Sequence, residues 1–292
     1  MGGAAEGETV RVPLEGPGRL DASLLDARRT FDRLVERYAP DAETRRRILA
    51  SPFYARLAGH LAGVLEYMAV ERLYEVHREG GYDRIVLDTP PTAQALDFLD
   101  APRRIVAFLD SRALELALGD WFDAEGRLVL GRRLRRVARP VEAWLDRVVG
   151  LDLVRDVWEF LRAFRPLYEG FRRRAREVQE LLASDRTGFI LIAGPGPDRV
   201  ADTLFFARAL VERGLFLSAV VVNRVHPKVP DPPTPADPPG RALMRFLGDR
   251  DATGLEQLRS LLDGRAPVVA LPELPEEPGG LGGLERILRG LA

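Results

Sequence analysis

The stretch Tyr82-Asp83-Arg84-Ile85-Val86-Leu87-Asp88-Thr89-Pro90-Pro91-Thr92 runs from an apolar core into a carboxylate, two hydroxyls and a proline-stiffened turn. A carboxylate can hold a magnesium-bound water, and hydroxyls beside it can respond to a γ-phosphate. Asp88, Thr89 and Thr92 are therefore candidates for phosphoryl chemistry on a metal nucleotide, with Asp88 as the metal-facing group. The same order of residues also suits a capped turn, with Asp88 ending a strand and Thr92 starting a helix at Ala93. Position favours the chemical reading. Ile85 to Leu87 predicts a strand buried on both faces, and ligands of parallel α/β sheets sit beyond the carboxyl ends of the strands. Against it stands the shortage of lysine. Lys228 is the sole lysine, it lies in a proline-crowded loop, and no glycine is followed by lysine, so no Gly-x-x-x-x-Gly-Lys-[Ser/Thr] phosphate loop occurs in these 292 residues.

Asn223 is the second candidate. It follows the apolar run Val220 to Val222, and its amide can donate to and accept from the edge of adenine at once, although a polar cap on a strand end needs the same residue. Gly194-Pro195-Gly196-Pro197 is glycine-rich, but prolines carry no amide donor, so it reads as a tight turn into the helix from Asp198 rather than a phosphate cradle. His60, His77 and His226 are scattered without metal-ligand spacing, and no Gly-x-Ser-x-Gly elbow is present. The arginine runs at 132–139 and 172–176 could meet an anionic partner. Interleaved with Leu134 and Val137, they read better as the solvated side of amphipathic helices.

Stepping from these residues to the elements that hold them, short apolar runs bounded by Gly, Pro or Asp predict strands at Ile85 to Leu87, Phe189 to Ala193, Ala219 to Val222 and Val268 to Leu271. A weaker one is predicted at Leu20 to Leu25. Leu61, Val64, Leu65 and Met68 fall at i, i+3, i+4 and i+7 and predict a helix to His77, stopped by Gly80-Gly81. From Pro102 to Leu182 the pattern is helical, with breaks at Leu130-Gly131 and Gly150. Pro227 to Pro239 can be neither helix nor central strand. The expected fold class is α/β, a parallel-sheet core formed by residues 1–101 and 183–292 with a helical subdomain inserted at 102–182.

The 43 basic and 44 acidic residues leave a net charge of −1, which gives no overall field for nucleic acid or an anionic membrane. With no cysteine, disulfides, thiolate metal sites and thiol catalysis are excluded. The polar start lacks the regions of a signal peptide, and no apolar run reaches the roughly 20 residues that cross a bilayer, so a cytoplasmic protein is expected.

The run from Tyr82 through Thr92 and on to Ala-Gln-Ala-Leu-Asp-Phe-Leu-Asp-Ala-Pro resembles the switch II segment of the arsenite-transporting ATPase (ArsA) family, which includes the targeting factor for tail-anchored membrane proteins. In that family Asp-Thr-Ala-Pro-Thr-Gly-His follows the strand. The resemblance implies that Asp88 faces the magnesium shell and that Thr89, Pro91 and Thr92 form the switch; Ala93 and Gln94 stand where the family has Gly and His. Further segments agree in order. Leu24 to Asp32 resembles a strand ending in Asp, and Leu191 to Asp198 resembles a strand and loop. Val220 to Val225 resembles the strand whose Asn recognises adenine, with Asn223 and Arg224 at its end. Pro267 to Leu274 resembles the last strand and its loop beside the base, through Pro272 and Leu274. The family's Walker A loop and switch I have no counterpart here, which implies a chain beginning after both and inactive in ATP hydrolysis alone. The implied cofactors are ATP and Mg2+. The implied assembly is a homodimer, or a heterodimer with an intact ArsA-like paralogue in which this chain acts as a non-catalytic subunit, and a protein client could bind the helical subdomain.

Overall fold

The computed structural model describes residues 9–14, 17–55, 64–89, 93–117, 151–230, 234, 238–276 and 278–289. The chain divides into two compact units, Met1–Glu180 and Leu181–Ala292. The division lies two residues before the expected end of the helical stretch at 182.

The first unit opens with a hairpin, β1 (Thr9–Val12) antiparallel to β2 (Leu20–Ser23). The strand anticipated at Leu20 to Leu25 thus exists over four residues, but it pairs locally rather than joining a parallel sheet. Helices follow. α1 (Ala27–Tyr38) begins where the Asp26 carboxylate accepts the Arg29 amide at 2.9 Å, and α2 (Ala42–Leu49) where Asp41 accepts that of Thr44 at 2.6 Å. Phe31, Leu34 and Val35 form the buried stripe of α1 at i, i+3 and i+4. The helix predicted to His77 is α3 (Val64–Glu79), packed against α1 and against α4 (Ala93–Leu109). α4 continues through Pro102, so the anticipated division at residues 101 and 102 falls inside one helix. After α5 (Arg112–Ala117), the predicted breaks at Leu130-Gly131 and Gly150 lie outside the described residues, as does the arginine run at 132–139. α6 (Leu151–Phe164) leads through a short 3-10 turn into α7 (Tyr168–Leu182).

Aromatic rings hold this unit together. Phe164 stacks on Phe31 at 5.7 Å and on Phe160 at 5.5 Å and meets Phe171 edge-on at 4.8 Å, while Phe171 stacks on Tyr67 at 5.4 Å. Inside the same core lies a charge pair. Arg174 of α7 donates Nε–H to Glu71 of α3 at 2.7 Å, and only 1% of either side chain is exposed. The guanidinium lies 4.3 Å from the Tyr38 ring and 4.8 Å from that of Phe171, and the Tyr67 hydroxyl donates to Glu71. Burial raises the Glu71 carboxyl above its ordinary value, and the Arg174 charge works in the opposite direction.

In the second unit a three-stranded parallel sheet has the order β3 (Phe189–Ala193), β4 (Leu217–Val225), β5 (Val268–Pro272). Three of the predicted strands are these, with ends shifted outward in β4 and β5. α8 (Val200–Glu212), entered through a 3-10 turn at Pro197–Arg199, packs on β3 and β4; α9 (Pro239–Leu262) packs on β4, β5 and α8. Val220 and Val222 are buried. On the other face Ile190 and Ile192 are 59% and 66% exposed. α10 (Gly280–Arg289) ends the described chain. The fold is α/β, with a parallel sheet and crossover helices of the P-loop NTPase-like kind.

The strand expected at Ile85 to Leu87 does not form. Residues 84–89 belong to no ladder, and all are exposed, Val86 to 91%. An apolar run states what a segment needs, which is burial. A strand also needs a neighbour to take its N–H and C=O groups, and among the described residues none lies beside this one.

Candidate functional site

Asp88 and Thr89 stand exposed at the end of that extended run, which leaves α3 through Gly80 and Gly81. Among the described residues no hydrogen bond or ion pair joins the Asp88 carboxylate. Its oxygens face solvent, as a carboxylate holding a hydrated magnesium requires. Thr92, with Pro90 and Pro91, lies outside the described residues. Among the described residues no group of three or more His, Asp or Glu is arranged around a metal position. Magnesium that keeps most of its waters does not call for one.

The second unit brings four candidates together. Asn223 and Arg224 lie at the carboxyl end of β4, and Pro272 closes β5 directly opposite Val225. The Glu273 amide donates to the Val225 carbonyl at 2.9 Å, which carries the pairing one residue further and leaves Leu274 half-buried beside it. This edge is where an open parallel sheet receives ligands. Asn223 is exposed, and its Oδ1 accepts the Arg224 amide at 2.9 Å, which turns the side chain back along the strand end. Arg224 takes the left-handed conformation, φ 62°, uncommon for a side-chain-bearing residue. Asp88 belongs to the first unit and Asn223 to the second.

Asp251 and Arg250, absent from the sequence reading, and His226, read there only as a histidine without metal spacing, meet beside this edge. Asp251 of α9 is fully buried; its Oδ2 accepts the His226 amide at 3.0 Å and lies 2.8 Å from His226 Nδ1, while Oδ1 accepts Arg250 Nε–H at 3.0 Å and Nη2–H at 2.7 Å. Burial alone would raise the Asp251 carboxyl. The His226 amide and ring and the Arg250 guanidinium outweigh it and hold the group below its ordinary value. The loop after β4 is thereby pinned to α9. A signal was present in the sequence: Gly248 and Gly254 interrupt a helix, where each costs about 1 kcal/mol relative to alanine, a cost that close packing offsets. A Cβ on Gly254 would sit 2.6 Å from the Gly196 carbonyl carbon, and one on Gly248 would strike the Pro227 carbonyl oxygen.

These contacts test the fit of a magnesium nucleotide. In the first unit the exposed Asp88 and Thr89 are groups of the kind that suits its metal end, and in the second unit, taken by itself, the exposed Asn223 amide is of the kind that suits its base. The Gly194–Pro197 loop suits neither. Gly196, at φ 98°, is buried against Gly254, so the loop is closed by a helix rather than open as a cradle.

Comparison with known proteins bears on part of the chain. Residues 32–122 match the sequence model of the anion-transporting ATPase family, ArsA ATPase. That stretch contains Asp88 to Thr92 and ends well before Asn223. The chain is also 24% identical over 169 residues to the putative arsenical pump-driving ATPase 1 of Aquifex aeolicus, an alignment covering 58% of this chain and 37% of that protein. Among the described residues no helix is long and apolar enough to cross a membrane. The similarity to the anion-transporting ATPase family thus rests on residues 32–122, the stretch that holds Asp88 to Thr92, and on a distant relative of which the chain spans 37%.

Proposed function

We propose that this protein is a nucleotide-dependent, dimeric switch of the cytoplasm, and that residues 1–292 by themselves do not hydrolyse ATP. The observation that carries the reading is the exposed Asp88-Thr89 pair at the end of an extended run, within the stretch matched to the family. Asp88 would hold the water shell of Mg2+, and Thr89 and Thr92 would respond to the γ-phosphate. Asn223 would read the adenine edge, with Arg224, Pro272 and Leu274 around the base. The bound nucleotide would supply a phosphoanhydride whose hydrolysis is downhill. Phosphoryl transfer depends on positioned cations and amides, and a glycine-lysine loop usually supplies them. This sequence has none, and its sole lysine lies in the loop after β4. That shortage favours a second reading, a non-catalytic subunit paired with an intact paralogue. In either, residues 102–182 would offer the surface for a protein client, inserted in a core of residues 1–101 and 183–292.

Isothermal titration with a non-hydrolysable ATP analogue and Mg2+ tests the proposal. Saturable binding that weakens about tenfold in Asn223→Ala, in line with losing hydrogen bonds to the base, is expected for the switch. Binding that appears only when an intact paralogue is added supports the paired subunit. The absence of binding in both arms removes the nucleotide from the account.

A further inference from the structure

A cavity of about 630 Å3 opens between the hairpin and α3, lined by Thr9, Arg11, Arg19, Asp21, Arg72, Val76, Glu79 and Tyr82. Its construction follows from two periodicities. In the hairpin Arg11 lies directly opposite Asp21, and the alternation of a strand sets Thr9 on the same face as Arg11. On α3 residues 72, 76 and 79 share a face at i, i+4 and i+7. Tyr82 closes the end just beyond the Gly80-Gly81 turn.

The charges around this space do not cancel. Asp21 accepts from Arg11 Nε at 3.2 Å, from Arg19 Nε at 2.8 Å and from the Tyr82 hydroxyl at 2.7 Å, so its acceptor positions are taken and only 3% of its side chain is exposed. Glu79 has its own cation, Arg37 at 3.7 Å. Arg72 donates to Thr9 Oγ1 at 3.1 Å and to Glu75 at 3.2 Å. Arg11, with 63% of its side chain exposed, has its two terminal amino groups left as donors among the described residues. Three guanidiniums thus face a space whose two carboxylates are already engaged. A cation would meet repulsion there, whereas a planar fork of N–H groups matches the oxygens of a phosphate or carboxylate. The volume falls within the roughly 300 to 1,000 Å3 typical of small-molecule sites, and Val76 with the Tyr82 ring gives it an apolar wall.

We propose that this cavity binds a small multivalent oxyanion, phosphate- or carboxylate-bearing, through Arg11, Arg19 and Arg72. The site is built wholly from residues 9–82 and does not depend on the nucleotide-binding reading. Asp21 competes with the ligand for two of the guanidiniums, so the resting cavity is held ready and charge-compensated in part.

The test titrates the full chain with inorganic pyrophosphate and, separately, with citrate, at constant ionic strength set by chloride. Saturable one-site binding is expected for at least one of them, and the tighter of the two identifies the oxyanion source. Arg11→Gln, an exposed position whose melting curve should match the parent, is expected to weaken binding about tenfold, the equivalent of one or two charge-assisted hydrogen bonds. Arg11→Lys should fall between, since it keeps the charge and loses the fork. Asp21→Asn, by releasing the competing carboxylate, should tighten binding by about threefold or more, a gain that damage to the fold cannot imitate. Binding that is absent up to millimolar anion, or that is the same in Arg11→Gln as in the parent, overturns the proposal. So does binding lost with Asn223→Ala but not with Arg11→Gln, which would move the anion to the edge of the parallel sheet.

Discussion

In the first unit a charged pair lies in the interior with 1% of each side chain exposed, whereas in the second unit two isoleucines on the edge strand β3 are 59% and 66% exposed. Polarity would rank these the other way round. What decides is the surface each residue meets. Arg174 lies over the Tyr38 and Phe171 rings and donates Nε–H to Glu71, and these contacts offset part of its desolvation, while Nη1 and Nη2 have no hydrogen-bond partner among the described residues. Ile190 and Ile192 point from the sheet face opposite Val220 and Val222, and parallel sheets normally have both faces covered. The helical unit thus buries ions within its own core, while in the sheet unit, among the described residues, Ile190 and Ile192 stay exposed on one sheet face.

The largest break in that contrast should come from the buried pair. Glu71→Ala leaves the Arg174 guanidinium uncompensated in the core and is expected to cost about 3–5 kcal/mol, read by urea unfolding. The double variant Glu71→Leu with Arg174→Met should recover most of the loss, because the site then carries no charge. If the single and double variants are equally unstable, packing rather than charge governs the site. A middle-sized effect belongs to the second unit. Gly254→Ala must displace the Gly196 backbone and should cost about 1–3 kcal/mol, with a parallel loss of whatever affinity the Asn223 edge has for a nucleotide analogue. The smallest change is predicted at the bare face. Ile192→Thr should shift stability by less than about 0.5 kcal/mol and reduce self-association in sedimentation; a loss of 2 kcal/mol or more would show that the residue is covered in solution.

Legibility followed the same division. Phe189 to Ala193 and the other two strands of its sheet were readable because continuous apolar runs between glycines and prolines leave few other solutions, and Asn223 stood out as an amide at a strand end, while Arg224, Pro272 and Leu274 came from the family resemblance. Ile85 to Leu87 has the same composition and no ladder. Periodicity records the demand for burial, and the partner that meets it is settled by tertiary structure. The hairpin strand Thr9–Val12 escaped notice because its alternation is polar and short. The Asp251–His226 contact joins residues 25 apart in sequence through a helix crossing a loop, and only the two helical glycines hinted at it.

Gly80 and Gly81 take φ 69° and 86°, and neither would meet an atom within 4 Å if it carried a Cβ. Torsion alone, at roughly 1–2 kcal/mol for each side chain forced into that region, reserves the pair for glycine. Such a joint is a glycine-only turn between α3 and the run bearing Asp88. The first residue beyond it, Tyr82, is tied by its hydroxyl to Asp21 of the hairpin, so the start of that run is anchored to β2.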